Sequence, residues 1–511
     1  MTPAVSVPVT VSLMPSPRPI ALSKTRVLAG LQCPKRLYLQ LTAPGLAEAP
    51  DAAREFRFAQ GHAVGRLAQQ AFPGGVTLDA GRDHLEEALS RTASLVRDPA
   101  VPAIFEATFR HDDVLVRVDV LARGSRGGWR LIEVKSTTGV REHHLPDVAI
   151  QRHVLEGSGL TVESVAVMHL SRDYVYAGGP YDPMRLFAIA DVAPQVDTLT
   201  LDLPRLLIEL RATLAAAAAP EIAPGLQCTK PYFCEFYDQC NVPRPLDDIA
   251  NLPGLHGKRL DALRARGITR IGELPDDVAL SPRQERARQA VAAERLLVAA
   301  PLAGELAGLA YPRYFMDFET LGAAIPRYAG MRPYDGIPFQ WSVHVIHAPG
   351  AAPEHRQFLA DSDVDPRRRF LETLVAAVGE TGPIVVYNAG FEGQHLDALG
   401  LTFPDLAHAA ARIRARLWDL LPVVRNHVAH PDFRGSFSLK SVLPALVPAL
   451  AYDDLDISEG SAAGPVWDRL VRGHPEPAEA ARLESALREY CRRDTLGMVE
   501  LVRALTAPPS P

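Results

Sequence analysis

The stretch from Arg117 to Lys135 constrains the fold more than any other part of the chain. Two apolar runs rich in β-branched residues, Val118-Asp119-Val120-Leu121 and Leu131-Ile132-Glu133-Val134, flank the turn Gly124-Ser125-Arg126-Gly127-Gly128. Runs of this kind around a glycine-rich turn pair as a β-hairpin. Side chains alternate faces along a strand, so Glu133 and Lys135 point the same way, and pairing brings Asp119 beside them on the neighbouring strand. Two carboxylates and an ammonium then converge. Ile132 and Val134 fill the opposite face, and the strand runs out into Ser136-Thr137-Thr138-Gly139, where a loop opens a cleft. A carboxylate pair holds a hard divalent cation, and a nearby lysine stabilises charge or orients water during phosphodiester cleavage. The same alternation also fits the wet face of a half-buried strand with no chemistry attached.

With 511 residues the chain exceeds one ordinary domain, and two or three compact units are expected. Apolar residues make up 47%, ample for buried cores, yet no uninterrupted apolar run is long enough to span a bilayer. Residues 1–20 carry five prolines and few large apolar side chains, so a flexible tail is expected there, without the compact apolar core of a secretion signal. The expectation is a cytoplasmic protein without membrane contact. The net charge of -6 argues against a strongly basic coat protein for nucleic acid. It leaves room for a nuclease, whose metal-binding acids lower the total while local Arg and Lys hold phosphate.

The five cysteines, an odd number, do not suit an all-paired secreted framework. Cys33 precedes the hairpin, and Cys228, Cys234 and Cys240 come after it at intervals of six, with Pro and aromatic residues between them. Disulfides are disfavoured in the cytosol, so metal ligation is the better reading. Tetrahedral thiolate suits zinc, although zinc sites more often use shorter gaps. Two further residues stay open. Glu106, on a strand over 103–109, is either another acid of the hairpin site or an edge-strand charge. His62, on a helix over 52–71, reads most simply as a polar residue near a packing point.

From Val242 the chain changes character. Two short helices joined by glycine turns are expected around Pro253-Gly254 and Gly267-Ile268, with Lys258, Arg259, Arg264, Arg266 and Arg270 supplying charge. That pattern is similar to a helix-hairpin-helix element holding backbone phosphate, and equally to a solvated helical linker. A charged helix is expected over 281–299. Next, Tyr314-Phe315-Met316-Asp317-Phe318-Glu319 is an apolar strand interrupted by acids at alternate positions. Burying both without a cation is costly, so their shared face needs metal or water. A second strand, Ile384-Val385-Val386-Tyr387, ends where a helix carrying Glu392 begins, and Tyr490 and Asp494 share one face of a late helix.

The hairpin, together with the helix beyond its cleft, resembles the core of the PD-(D/E)XK nucleases, especially the RecB/AddB-like branch. The resemblance implies a restriction-endonuclease-like domain in which Asp119 and Glu133 bind Mg2+ or Mn2+. Lys135 and Gln151 would complete the catalytic set, and His62 would add a metal ligand. The branch's tyrosine four residues after the glutamine is Leu155 here. One cysteine before the core and three after it resemble the iron–sulfur staple of AddB-like and CRISPR-associated RecB-type nucleases. This implies a 4Fe-4S cluster on Cys33, Cys228, Cys234 and Cys240, with zinc as the alternative.

The order of acids in the second half resembles DnaQ-like 3'-5' exonucleases of the DEDDy form. That likeness implies Asp317, Glu319, Glu392 and Asp494 as ligands of two cations, with Tyr490 orienting the attacking water. The family's second-strand acid is usually Asp, and Glu392 is one methylene longer. Pro338-Phe339-Gln340-Trp341-Ser342, Trp418-Asp419-Leu420, Gly435 to Pro444 and Cys491-Arg492-Arg493-Asp494-Thr495 look like a bacterial domain-of-unknown-function family in which such a fold comes after a Cys-bearing RecB-like nuclease. Asp419 is then an accessory acid or a helix-start charge, and Lys440 a phosphate contact or a loop cation. Cys491, with no partner cysteine nearby in sequence, reads as a packed, unligated thiol.

The expectation is therefore an α/β protein. A tail (1–20) precedes a restriction-endonuclease-like domain with the cysteine cluster (21–245), a helical, helix-hairpin-helix-like linker (246–300) and a ribonuclease-H-like exonuclease domain (301–511). The expected activity is divalent-metal-dependent hydrolysis of DNA with single-stranded ends. An RNA-processing exonuclease and a non-hydrolytic scaffold with decayed sites are the rivals, since no residue reports on the 2'-OH.

Overall fold

The computed structural model describes residues 22–78, 84–457 and 459–506, and the expected tail lies outside them. The chain is α/β with mixed sheets and divides into two compact units. Among the described residues, the first comprises 22–47, 65–78, 84–169 and 187–236, and the second 48–64, 170–186, 237–457 and 459–506. The division is thus discontinuous in sequence. Residues 48–64 and 170–186 are tied into the second unit by hydrogen bonds: Gln60 Oε1 accepts from the Ala324 amide at 2.9 Å, and the Tyr176 amide donates to the Met331 carbonyl at 2.9 Å.

The first unit is built on a seven-stranded sheet. Its strands are β1 (Leu22–Ser23), β2 (Val76–Thr77), β3 (Ala103–His111), β4 (Val114–Arg123), β5 (Trp129–Lys135), β6 (Val162–Leu170) and β7 (Phe187–Asp191). They run in the order β2-β3-β4-β5-β6-β7, with β1 pairing β4 in parallel. The expected hairpin is β4–β5, antiparallel with Val120 opposite Ile132. Apolar residues of β3 to β6 pack against the helices Leu145–Gly157 and Ala193–Ala215, with Val118, Leu131, Ile150 and Leu207 fully buried. Leu155 is part of this core.

Beyond β8 (Leu297–Val298), the second unit centres on β9 (Arg313–Gly322). Against it lie β10 (Gly336–Ile346) and then β11 (Glu354–Leu359), both antiparallel to their neighbours. On its other side lie β12 (Ile384–Val386) and β13 (Leu417–Asp419), both parallel. β14 (Val428–Ala429) pairs with β8 in a separate ribbon. β10 is buried along most of its length because helices cover both faces. Trp341 donates to Thr373 Oγ1 of the helix Arg367–Ala377 at 3.1 Å. The alternate residues Gln340, Ser342 and His344 meet the helix Pro477–Thr506: Gln340 donates to the Leu487 carbonyl at 2.8 Å, and the other two share Thr495 Oγ1, each at 2.8 Å. This row of polar contacts fixes the rotation of the last helix about its axis.

Residues 246–300 carry a small core of their own, formed by Ile249, Leu252, Leu255, Leu263, Ile268, Ile271 and Leu274. Gly254, Gly257 and Gly267 take positive φ, as glycine hairpin loops require. Four of the five basic residues expected to supply charge here face an acid or a carbonyl. Arg264 meets Asp248 at 3.8 Å, Arg266 meets Asp277 at 3.2 Å and Arg270 meets Asp247 at 2.5 Å, while Arg259 donates to the Ala279 carbonyl. The expected helix begins at Pro282 behind a Ser281–Gln284 capping box and ends at Ala293.

Candidate functional site

In the first unit, β-pairing sets Asp119 beside Glu133, and Asp119 Oδ2 accepts from the Val134 amide at 2.8 Å. Lys135, two residues along the same face, reaches Glu133 Oε1 at 2.7 Å. The helix Leu145–Gly157 adds Gln151, whose Nε2 donates to Glu133 Oε2 at 2.6 Å. The structure therefore brings together the four residues that the sequence singled out. It adds two more. Asp147, one turn before Gln151, accepts from Lys135 at 2.5 Å, and Lys24 lies 2.8 Å from Asp147 and 3.2 Å from Glu133.

Both additions left a signal in the sequence. Asp147 and Gln151 are four apart on one helix and share a face. Lys24 comes directly after the Ser23 cap as the first residue of its helix, where a cation opposes the helix dipole and so needs a partner elsewhere. Glu106 sits in β3 across from Asp119 with φ of +58°, a left-handed conformation that glutamate adopts at a cost of order 1 kcal/mol or more. His62 is exposed on the helix Ala52–Gln69 and belongs to the second unit, whereas Asp119 and Glu133 belong to the first.

The electrostatics of this pocket are compensated from within. Burial alone would raise Glu133, yet Lys135 and Lys24 outweigh it and hold the carboxyl below the usual carboxylate range. Both lysines are held protonated: burial opposes their charge, but Glu133 and Asp147 overcome it. Asp119 goes the other way. Burial and then repulsion from Glu133 push it up to about 8.

Acids gather in the second unit without that compensation. Asp317 and Glu319 project from the same face of β9. After β12 the chain turns at Asn388, at φ of +106°, into the helix Ala389–Thr402, which delivers Glu392 in its first turn. Asp419 makes this turn possible: its carboxylate accepts from the Asn388, Ala389 and Leu421 amides, all at 3.0 Å, which is the helix-start role rather than that of a free accessory acid. The last helix brings in Tyr490, Cys491 and Asp494, all buried.

Burial first, then Asp494, Glu319 and Glu392, push Asp317 well above the carboxylate range. Glu319 is raised by burial and Asp494, with Lys440 opposing. Burial lifts Glu392 to about 8, and its Oε2 meets no hydrogen-bond donor among the described residues. Asp494 rises by burial to about 6, with hydrogen bonds from Tyr452 and Tyr490 and the charge of Lys440 pulling it back. Tyr452, which donates to Asp494 Oδ1, has no signal in the sequence because it lies in a loop without periodicity. Lys440 lies 4.8 Å from the Tyr490 ring, 5.4 Å from that of Tyr452, and 3.7 Å from Glu459.

The donor set suits a cation. Ligand atoms of Asp317, Glu319 and Cys491 lie within 4.8 Å of one another, a possible metal-binding group. The buried, unpartnered Glu392 oxygen gives a second reason to place positive charge here.

The cysteine set divides. All four thiols are free. Cys33 sits at the junction of the helices Lys24–Gln32 and Pro34–Thr42, close enough to Cys234 to affect its ionisation, though burial is the main cause that raises the Cys234 thiol. Gln32 ties this junction to the 226–236 loop by donating to the Gln227 and Tyr232 carbonyls at 2.6 Å, and Arg36 and Gln40 both bind Glu235. Cys33, Cys228 and Cys234 do not approach within 4.8 Å as a group among the described residues. Cys240, on the short helix Tyr237–Cys240, belongs to the second unit.

Among protein families, the model described as "Domain of unknown function (DUF2779)" matches residues 314–438. The matched span runs from β9 through the Asp419 turn to the threshold of Lys440. A comparison with curated proteins finds no match. No helix among the described residues is long and apolar enough to cross a membrane.

Proposed function

We propose that the protein is a divalent-metal-dependent nuclease that hydrolyses DNA, with its exonuclease-type site in the second unit. The observation that carries this reading is the meeting of Asp317, Glu319, Glu392 and Asp494 in one buried pocket, where the neighbouring acids add to burial in raising Asp317 and Glu319. Four acids from β9, from the turn after β12 and from the last helix stay together only if protons or a cation neutralise them. The strand order β11-β10-β9-β12-β13, with the first three strands antiparallel and the rest parallel, supports a ribonuclease-H-like unit. The β4–β5 hairpin with Asp119, Glu133, Lys135 and Gln151 supports a PD-(D/E)XK-type unit, and one cysteine before the hairpin with three after it at intervals of six supports a 4Fe-4S cluster.

Asp317, Glu319, Glu392 and Asp494 would hold Mg2+ or Mn2+. Bound there, the ion supplies Lewis acidity and neutralises charge at phosphate. The chain's own residues do the rest. Tyr452 and Tyr490 orient Asp494, and Lys440, poised by the two rings, meets the phosphate backbone. Asp419 holds the turn that aims Glu392. In the first unit Gln151 fixes Glu133, and Lys135 is placed to stabilise a developing negative charge.

The test is hydrolysis of end-labelled single-stranded and duplex DNA and RNA by the full-length protein with Mg2+ or Mn2+. Wild type is expected to release nucleotides from single-stranded DNA ends, with Asp317→Ala and Lys135→Ala separating the two sites. Preference for RNA would shift the reading to RNA processing. If wild type leaves every substrate intact while still binding it, the protein is a scaffold and the proposal fails.

A further inference from the structure

Cys491 is the buried group that the proposed chemistry leaves unused. It is fully buried on the last helix, between Tyr490 and Asp494 in the same turn, and its Sγ lies 3.8 Å from Asp317 Oδ2 and 3.9 Å from the Asp317 carbonyl. A thiol in a core normally packs against apolar neighbours. Here it is packed among carboxylates, with Asp317, Glu319 and Cys491 ligand atoms all within 4.8 Å. Independently of the thiol, Glu392 offers a buried oxygen without a donor, and it bears on Asp317 and Glu319 electrostatically. A pocket with this donor set is not selective for magnesium. Magnesium takes oxygen ligands in near-ideal octahedral geometry and gains nothing from sulfur. Zinc-class ions accept mixed sulfur and carboxylate ligands in small tetrahedral sites.

We infer that Asp317, Glu319 and Cys491 form a mixed thiolate–carboxylate site for a thiophilic divalent ion of the zinc class, overlapping the hard-cation site. The inference rests on the acid pocket of the proposed function and adds a second class of ion to it. On binding, the Cys491 thiol gives its proton to solvent and the sulfur takes a ligand position; no electron is transferred. Because the two ions share Asp317 and Glu319, the thiophilic ion excludes the hard one. Micromolar zinc would therefore act as a brake on magnesium-supported hydrolysis.

Co2+, which reports thiolate ligation by a charge-transfer band in the near ultraviolet, is the probe. The full-length protein would be titrated alongside Cys491→Ser, Cys491→Ala and Asp317→Asn, with circular dichroism to check folding. The other four cysteines are the same in all four proteins, so the informative quantity is the difference. Wild type should show a band component that Zn2+ displaces and that all three variants lose, and the Zn2+ needed for half-displacement should rise at least about tenfold in both Cys491 variants. A folded Cys491→Ser or Cys491→Ala protein with the wild-type band and Zn2+ affinity overturns the inference. Magnesium-supported hydrolysis by wild type is scored separately. Hydrolysis without the Cys491-dependent band sinks only the thiophilic site, whereas the band without hydrolysis sinks only the nuclease reading.

Discussion

The two units bury carboxylates in similar number but balance them in opposite ways. In the first, Lys24 and Lys135 sit between Glu133 and Asp147, and Glu133 is held ionised. In the second, Asp317, Glu319, Glu392 and Asp494 all shift toward protonation, with Lys440 opposing at Glu319 and Asp494. The first pocket is complete as folded, and a cation entering it must displace a lysine from a carboxylate. The second is under-compensated and is stable with either protons or metal. Similar acids therefore teach different things: one cluster is an ion-paired network, and the other is a pocket that attracts positive charge.

The contrast is sharpest in activity. Asp317→Ala should lower hydrolysis at the second site by at least about a hundred- to a thousandfold, the range for loss of one group that stabilises transition-state charge. Single-turnover rates on end-labelled single-stranded DNA measure it, and a wild-type rate in the variant would remove the second pocket from the chemistry. Next in size is Lys24→Ala. It strands Glu133 and Asp147 without one of their two cations and should cost about 3–5 kcal/mol of stability in the first unit. Added Mg2+ should recover part of that loss by taking the place of the lysine, as urea unfolding with and without Mg2+ would read out. No loss would mean that the lysines and acids are not a working network.

The pH dependence separates the pockets because the second shifts in one direction only, whereas the first mixes a lowered Glu133 with an Asp119 raised to about 8. Asp494 near 6 and Glu392 near 8 stand above ordinary carboxylates at about 4, so the folded state holds the extra protons. Their contribution to stability is fully present below about pH 4 and is lost as pH rises through about 6 and then 8. Glu133, held low, contributes in the opposite sense: its share is present above the ordinary carboxylate range and is lost on acidification. With chelator present, the thermal midpoint of the second unit should fall between about pH 6 and pH 8.5, and Mn2+ should raise it more at the higher pH. A chelated midpoint that holds steady or climbs would show that these acids have found another partner. Smallest is Asp419→Ala, which removes an acceptor of three amides and should cost about 1–2 kcal/mol by thermal unfolding. A larger loss of activity than of stability would show that the Asn388 turn also aims Glu392.

Much of this is legible in the sequence, for identifiable reasons. Alternation in β4, β5 and β9 fixes which side chains share a face, so Asp119, Glu133 and Lys135, and likewise Asp317 and Glu319, can be grouped from spacing alone. Helical spacing does the same for Tyr490 and Asp494. Tyr452 escapes because it enters its pocket by a tertiary contact from a loop, whereas Lys24 and Asp147 leave weaker clues, a misplaced cation at a helix start and an i,i+4 spacing to Gln151. The membership of 48–64 and 170–186 in the second unit has no local signal at all, since chain exchange between units depends on packing and not on periodicity. Asp419 shows the reverse limit. An acid after a strand reads equally as ligand or cap, and only the three amides pointing at it decide.

Cation binding itself tests the central claim most directly. Mn2+ titrated into the full-length protein, followed by the loss of free-ion signal in electron paramagnetic resonance, should report a class of binding that Asp317→Asn removes and that Lys135→Ala leaves in place. Binding that survives Asp317→Asn unchanged, or no binding by the folded wild type near pH 8, would contradict the account.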